Sequence, residues 1–335
     1  MFIVSSYALA IVLCFVTMLC WGSWGNTQKM AAKSWRFELF YWDYVIGILI
    51  FSVILGFTLG SFGSQGRSFI EDLGQVTSTN FLSALTGGVI FNLSNILLSA
   101  SVSLAGMTVA FPLGVGIALV LGVLINYMAT PKGDPVVLFL GVALIVLAIV
   151  LNALAASKVQ KGGTDGSRRG IWVAVSAGLL MAFFYRFVAA AMDLENLASP
   201  TPGMATPYTA FFIFALGIFL SNFVINTIFM RRPVQGEPVG YAAYFKGSLP
   251  THLVGVLGGV VWGVGTSLSY IAAGKAGAAI SYALGQGAPL VAALWGILVW
   301  KEFKGATRGV YLLLLLMFLL FILGLALIIL SGGNG

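Results

Sequence analysis

Gly87-Gly-Val-Ile-Phe-Asn-Leu-Ser-Asn95 aligns without a gap on Gly258-Gly-Val-Val-Trp-Gly-Val-Gly-Thr266, 171 positions further along the chain. Over 87–120 against 258–291, 11 of 34 positions are identical: Gly87, Gly88, Val89, Leu97, Ala105, Gly106, Leu113, Gly114, Gly116, Leu119 and Val120. Apolar composition produces matched leucines and valines by itself, so the shared glycines carry the argument. Both copies lie in long hydrophobic runs. A membrane-spanning helix needs roughly 20 mostly apolar residues. Ten such runs are read, at about 4–24, 38–61, 81–104, 107–129, 136–156, 170–192, 207–230, 250–273, 277–300 and 309–331. Five runs per half is an odd number, which obliges the halves to cross the bilayer in opposite orientations. The expected fold is therefore all-α: a polytopic membrane protein of ten transmembrane helices arranged as a 5+5 inverted repeat. Residues 1–156 form the first five-helix repeat, 157–169 a cytoplasmic linker and 170–335 the second repeat. Inverted repeats are the recurring plan of secondary transporters, with the substrate near the midplane between the halves.

Composition agrees. Of 335 residues, 59% are hydrophobic and 8% charged, against about 25% charged in soluble domains. So much apolar surface needs lipid as its solvent, which excludes a cytosolic enzyme, a nucleic-acid binder and a disordered chain. The 42 glycines fit close approach of helix backbones. The start, Met1-Phe-Ile-Val-Ser-Ser, has no positive n-region, so the first run reads as a retained helix rather than a cleaved signal. Cys14 and Cys20 are six residues apart and point to different helix faces. They read as small apolar fillers, and the chain shows no metal-ligand spacing and implies no cofactor.

The net charge of +7 describes orientation rather than an acidic partner. Alternate connections hold Lys29, Lys33, Arg36, Lys158, Lys161, Arg168, Arg169, Arg231, Arg232, Lys246, Lys301, Lys304 and Arg308, whereas the others hold Arg67, Lys132 and Lys275. Lys/Arg excess marks cytoplasmic loops, so both termini are expected outside the cytoplasm.

Charges inside spans are costly and usually functional. Asp43, in Phe40-Tyr-Trp-Asp-Tyr-Val, is the one acidic residue well inside a span. It reads either as a protonatable group coupling ion entry to solute entry or as an Asp hydrogen-bonded to a neighbouring Tyr or Trp. The coupling ion is a proton, with Na+ as the alternative. Arg186 is the one strong base within a span. Its depth differs from that of Asp43 by about 15 Å, so it is expected to snorkel outward to Asp193 or Glu195, a substrate contact being the sharper alternative. Uncharged polar residues fill the middle of the spans: Asn92 and Asn95, Trp262 and Thr266, Tyr282 and Gln286. Such groups can bind and stack on a neutral polar solute without burying a charge. They can equally bond helix to helix. Trp21 reads as an aromatic-belt residue or a gate. His252 reads as an interface residue, and Glu302 as a cytoplasmic boundary.

Two Gly/Pro clusters fall at matching places of the repeat: Pro112 with Gly114 and Gly116, and Gly285 and Gly287 with Pro289. Broken helices at corresponding positions are a pointer to a transporter site. An enzyme such as a membrane-bound transferase would need a group set, and one His and one in-span Asp on different helices supply none.

The run Gly87-Gly-Val with Leu93, Asn95, Gly106, Val109, Gly122 and Asn126-Tyr127 resembles the ureide permease family. So do Tyr41-Trp-Asp-Tyr, Tyr208-Thr-Ala-Phe-Phe, and Gln286 with Pro289-Leu-Val, Trp295-Gly and Glu302. That family belongs to the drug/metabolite transporter superfamily and is similar to bacterial glucose/ribose porters and rhamnose–proton symporters. The resemblance implies a carrier importing a small neutral solute with protons by alternating access, the solute being a monosaccharide such as ribose or glucose, or a ureide or nucleobase. A drug or metabolite exporter of the same superfamily is the alternative. Plant members carry a long central loop with a phosphate-loop-like motif, whereas here the linker is Ser157–Arg169 with Lys161-Gly-Gly and no GxxxxGK. The departure counts against plant-type regulation and plant substrate assignment, and the expected location is a bacterial inner (plasma) membrane.

Overall fold

The structure, a computed structural model, describes residues 1–31, 35–105, 107–159, 166–234 and 236–333. Lys33, Lys161 and residues 160–165 of the 157–169 linker lie outside these residues, as does the Pro112 side chain. The described residues are helical, with no strand. In chain order the helices are α1 (Tyr7–Ser23), α2 (Gly25–Ala31), α3 (Phe37–Phe57), α4 (Phe69–Gln75), α5 (Ser78–Ala105), α6 (Met107–Ala129) and α7 (Pro135–Ser157). They continue with α8 (Gly166–Ala190), α9 (Pro207–Arg231), α10 (Tyr241–Phe245), α11 (Leu249–Ala276), α12 (Ala278–Gly285) and α13 (Ala288–Leu294). A π-helical turn follows at Trp295–Val299, and α14 (Arg308–Gly333) closes the chain.

Local chemistry starts these helices. The Ser6 hydroxyl accepts from the Leu9 amide at 3.2 Å, and Asp134 accepts from Val136 and Val137 at 2.8 and 3.1 Å. Pro135 and Pro207 stand in first turns, where a missing N–H costs nothing. Among the described residues nine helices are long and apolar enough to cross a membrane, and Leu113–Ala129 is a shorter apolar helix at the position of the fourth run. The outward faces are apolar: Leu312, Leu315, Leu319 and Ile322 on α14, with Val136, Leu140, Leu147 and Leu154 on α7, are all exposed. Holding such side chains in water forgoes roughly 1.5–3 kcal/mol each, so lipid is the solvent here. The protein is an integral membrane protein.

Helix partners are exchanged between the halves. α5 packs on α8 and α9, and α11 packs on α1 and α3. Glycines bring the backbones together. A side chain at Gly88 would overlap the Phe214 carbonyl oxygen of α9, and one at Gly259 would overlap the Tyr44 carbonyl oxygen of α3. Gly88 and Gly259 are matched residues of the 171-position alignment. At the periphery α7 meets α14 through Gly141 and Gly324, each facing the other's carbonyl oxygen.

The two Gly/Pro clusters differ in structure. The second interrupts its span: α12 ends at Gly285, Gln286-Gly287 turns, and α13 restarts with Pro289 in its first turn. The first leaves α6 a single helix through Gly114 and Gly116. One proline removes one backbone bond, which need not end a helix. Gly114 is a packing residue, since Gly178 of α8 lies against its carbonyl oxygen, and Gly116 faces open space.

At the end of the bundle away from the basic connections, the segments 58–78 and 192–206 dock on each other. Arg67 donates to Asp72 at 2.8 Å and to the Pro200 and Met204 carbonyls. Asp72, fully buried, also accepts from the Thr206 amide at 2.7 Å. The expected outward pairing of Arg186 is not found. Asp193 accepts instead from the Thr201 amide and hydroxyl at 2.9 and 2.6 Å and from the Asn196 amide at 3.2 Å. Local N–H and O–H groups fill the carboxylate. Arg186 is half-buried on α8 and joins none of the ion pairs among the described residues.

Candidate functional site

A central cavity of about 140 Å³ lies among α1, α2, α5, α6, α8, α11 and α13. At about 10–15 Å³ per water this is room for on the order of ten waters, or a solute with a similar number of non-hydrogen atoms. Its inner wall is aromatic. Trp262 of α11 stacks on Phe91 of α5 with centroids 4.4 Å apart, and Trp21 of α1 lies parallel to Trp262 at 6.3 Å and 9°. Phe184, Met181, Leu98 and Val115 complete it. Two buried amides line this chamber, Asn95 from α5 and Gln286 from the α12–α13 turn, and a half-buried third, Asn26 of α2, lines it as well. Asn95 donates to the Tyr41 hydroxyl at 3.2 Å, which holds its side chain in place. Gln286 reaches the cavity because the helix is interrupted there.

Lining residues pair across the internal repeat. Phe91 corresponds to Trp262 and Val115 to Gln286 at the 171-position offset, and all four face the cavity. Among the lining residues Lys29 and Glu302 are the only charged ones. They stand at the mouth, 42% and 41% exposed, while Trp262, Asn95 and Gln286 are buried. Behind the lining rings Phe91, Phe184 and Trp262 pack the fully buried rings of Phe214, Tyr185 and Tyr282, with Phe211 and Tyr270 against Phe214. Beside them Tyr185, Ser269 and Ser281 are linked by hydrogen bonds of 3.0 Å.

The structure divides the polar residues singled out in the sequence. Asn95, Trp262, Gln286, Trp21 and Pro289 line the cavity. Thr266 supports it from behind, accepting from the Trp21 indole at 2.9 Å. Asn92 turns away, donating to Ser221 of α9 at 3.0 Å. Tyr282 is fully buried and donates to the Ala118 carbonyl at 3.2 Å. Gly285 leaves room for the Trp21 ring, and Gly287 packs on Met18.

Asp43 lies outside the cavity, in the contact between α3, α10 and α11. It accepts from the Tyr244 hydroxyl at 2.6 Å and meets His252 Nδ1 at 2.8 Å. Burial, with the adjoining Asp43 carboxylate, pushes the Tyr244 phenol above its ordinary value. A side chain at Gly255 would overlap the Asp43 Cβ, so the two helices touch at this carboxylate. His252 and Tyr244 are partners that sequence reasoning missed, because they come from a different half of the chain and carry no local motif. Phe91 and Val115 were also missed, although their alignment with Trp262 and Gln286 was a usable signal. No group of three or more His, Cys, Asp or Glu able to hold a metal ion occurs among the described residues.

A helical membrane protein with an aromatic, amide-tipped central cavity has the build of a small-molecule carrier. The family model for ureide permeases matches residues 40–165 and 164–331, and the chain belongs to the ureide permease family. It is 25% identical to ureide permease 2 and to ureide permease 1 of Arabidopsis thaliana, over the whole length of both proteins in each case. It is 24% identical to a probable ureide permease A3 of Vigna unguiculata, covering 92% of this chain and all of that one. A solved structure described only as a crystal structure of a protein superposes with a TM-score of 0.63 at 15% identity, covering 98% of this chain and 99% of that one. That likeness speaks to the fold alone. Family membership marks a transporter rather than an enzyme.

Proposed function

We propose that this protein imports a small, neutral, planar polar solute of the ureide or nucleobase class together with protons, by alternating access. The observation that carries the reading is the cavity of a ureide permease family member, walled by stacked rings and tipped by two buried amides, with its only charges paired at the mouth. Flat faces stack on flat solutes, and amides donate to and accept from a urea-like edge without burying charge. The plant relatives named for ureides weight this class over a monosaccharide and do not favour an exporter. In this reading 1–156 and 170–335 are inverted repeats that rock about the Phe91–Trp262 contact. The basic connections face the cytoplasm, so the mouth of the cavity lies toward that side.

Asp43 is the coupling group. Its buried carboxylate joins α3 to α11, the helix that carries Trp262 into the cavity, so a proton held differently in two conformations biases one over the other. Proteoliposome uptake of allantoin, uracil, ribose and glucose tests the proposal. Allantoin or uracil should accumulate against its gradient when the outside is acidic, and collapse of the pH gradient should stop it. Uptake of sugars alone would overturn the solute class. Asp43→Asn should abolish uphill uptake and leave counterflow, and unchanged gradient-driven uptake would refute the coupling role.

A further inference from the structure

We infer that the turn Trp295–Glu302 is the gate of the cavity, latched to α2 by Lys29. This inference rests on the cavity being a transport site. The backbone here departs from a regular helix twice in succession. After α13 the chain widens into the π-helical turn Trp295–Val299, a feature that tends to occur at functional sites. Lys301 then takes a φ of 53°, the only non-glycine in the left-handed region among the described residues. A side chain pays a steric penalty there, and such a conformation persists only where its surroundings hold it.

One holding contact closes the turn on itself and the others cross the mouth. The Glu302 amide returns to the Gly296 carbonyl at 2.9 Å, and the Glu302 carboxylate lies against Gly296, its Oε2 2.9 Å from where a Cβ would stand. That carboxylate forms an ion pair with Lys29. The Lys29 ammonium also sits 4.4 Å from the centroid of the Trp300 ring. The Trp300 indole donates to Asn26 at 2.7 Å, and the Trp295 indole to Ser23 at 2.8 Å. Ser23, Asn26 and Lys29 are three residues apart, on one face of the α1–α2 end. One side of the latch is the end of the helix that runs through Trp24 to Ala31, and the other follows α13, which restarts after the Gln286-Gly287 turn. The contacts are polar and half-exposed, so water can replace them at little cost when the mouth opens. Release of the latch lets the strained turn relax and swing with its piece of helix.

Accessibility of the cavity tests this without any solute or proton gradient, so the gate and the solute assignment can fail separately. In a chain with Cys14 and Cys20 replaced by serine, Val115→Cys places one thiol in the cavity wall, to be labelled by an impermeant maleimide from the basic side. Glu302→Gln and Lys29→Glu should each speed labelling by about two- to fivefold, the range an exposed ion pair supports. The exchanged pair Lys29→Glu with Glu302→Lys should return the rate to that of the parent. Trp300→Phe, which removes only the indole N–H and part of one ring, should also speed labelling and guards against a charge variant that fails to fold. Unchanged rates in Glu302→Gln and Trp300→Phe would overturn the gate. Faster labelling in the single variants that the exchanged pair does not correct would overturn the ion pair as its latch.

Discussion

Asn92 and Asn95 show how little rotation separates a structural amide from a site amide. They are three residues apart on α5, yet one donates to Ser221 of α9 and the other stands in the cavity beside Tyr41. Their substitutions should therefore report on different quantities. Asn95→Ala and Gln286→Ala are each expected to weaken solute affinity about three- to tenfold, the worth of one neutral hydrogen bond. Binding calorimetry on the purified protein reads this, and unaltered affinity in both would refute the lining. Asn92→Ala should lower thermal stability in detergent and leave affinity in place. A pH dependence belongs at this scale too. Burial pushes Asp193 up, but hydrogen bonds from Thr201, Asn196 and Glu195 outweigh it and hold the carboxyl below its ordinary value. Its stabilising contribution is therefore complete above the unfolded carboxyl value and is lost as pH falls through the lowered folded one. Melting curves between neutral and acid pH should show this loss reduced in Asp193→Asn. Superimposable acid losses in the two proteins would refute it.

Helix against helix, glycine sets the spacing. α3 and α11 meet at Gly47, Gly255 and Gly259, and α5 and α9 meet at Gly88 and Gly217, in each case with a carbonyl oxygen or a side chain where a Cβ would stand. Gly259→Ala and Gly88→Ala should each cost about 1–3 kcal/mol by forcing the helices apart. Gly116 has nothing within 4 Å of a built Cβ, so Gly116→Ala should be neutral or stabilising by about 0.5–1 kcal/mol through lower backbone entropy. Thermal unfolding in one detergent compares the three, and equal melting points would refute the packing argument. The helices were legible from the sequence because each run is long and continuous, and the matched pair Gly88 and Gly259 was legible because close packing there leaves no room for a side chain. The interruption at Gln286-Gly287 and the continuity of α6 were not separable in the sequence, since both segments carry Gly and Pro. What differs is whether the surrounding helices hold the chain straight.

For the whole molecule, the charge distribution carries the proposed sidedness. Gly240→Cys, beside the basic connections, should react with an impermeant maleimide only in inside-out vesicles, and Ser64→Cys at the other end only in intact cells, both in a chain without Cys14 and Cys20. The reverse pattern would invert the proposed orientation and with it the side toward which the mouth lies. By itself the sequence determined that the chain is a helical membrane protein. Hydrocarbon offers no partner for a peptide group, so long apolar runs can cross it only as helices. The sequence also held the 171-position alignment, in which Gly88 and Gly259 match and both lie against a carbonyl oxygen of a neighbouring helix. Only the tertiary structure decided which polar residues meet. In a membrane protein both the lipid face and the packed face of a helix are apolar, so no amphipathic stripe announces the direction of the site. Asp43 found His252 and Tyr244, Trp262 found Phe91, and Glu302 found Lys29, each across a distance in the chain that only the packed helices close.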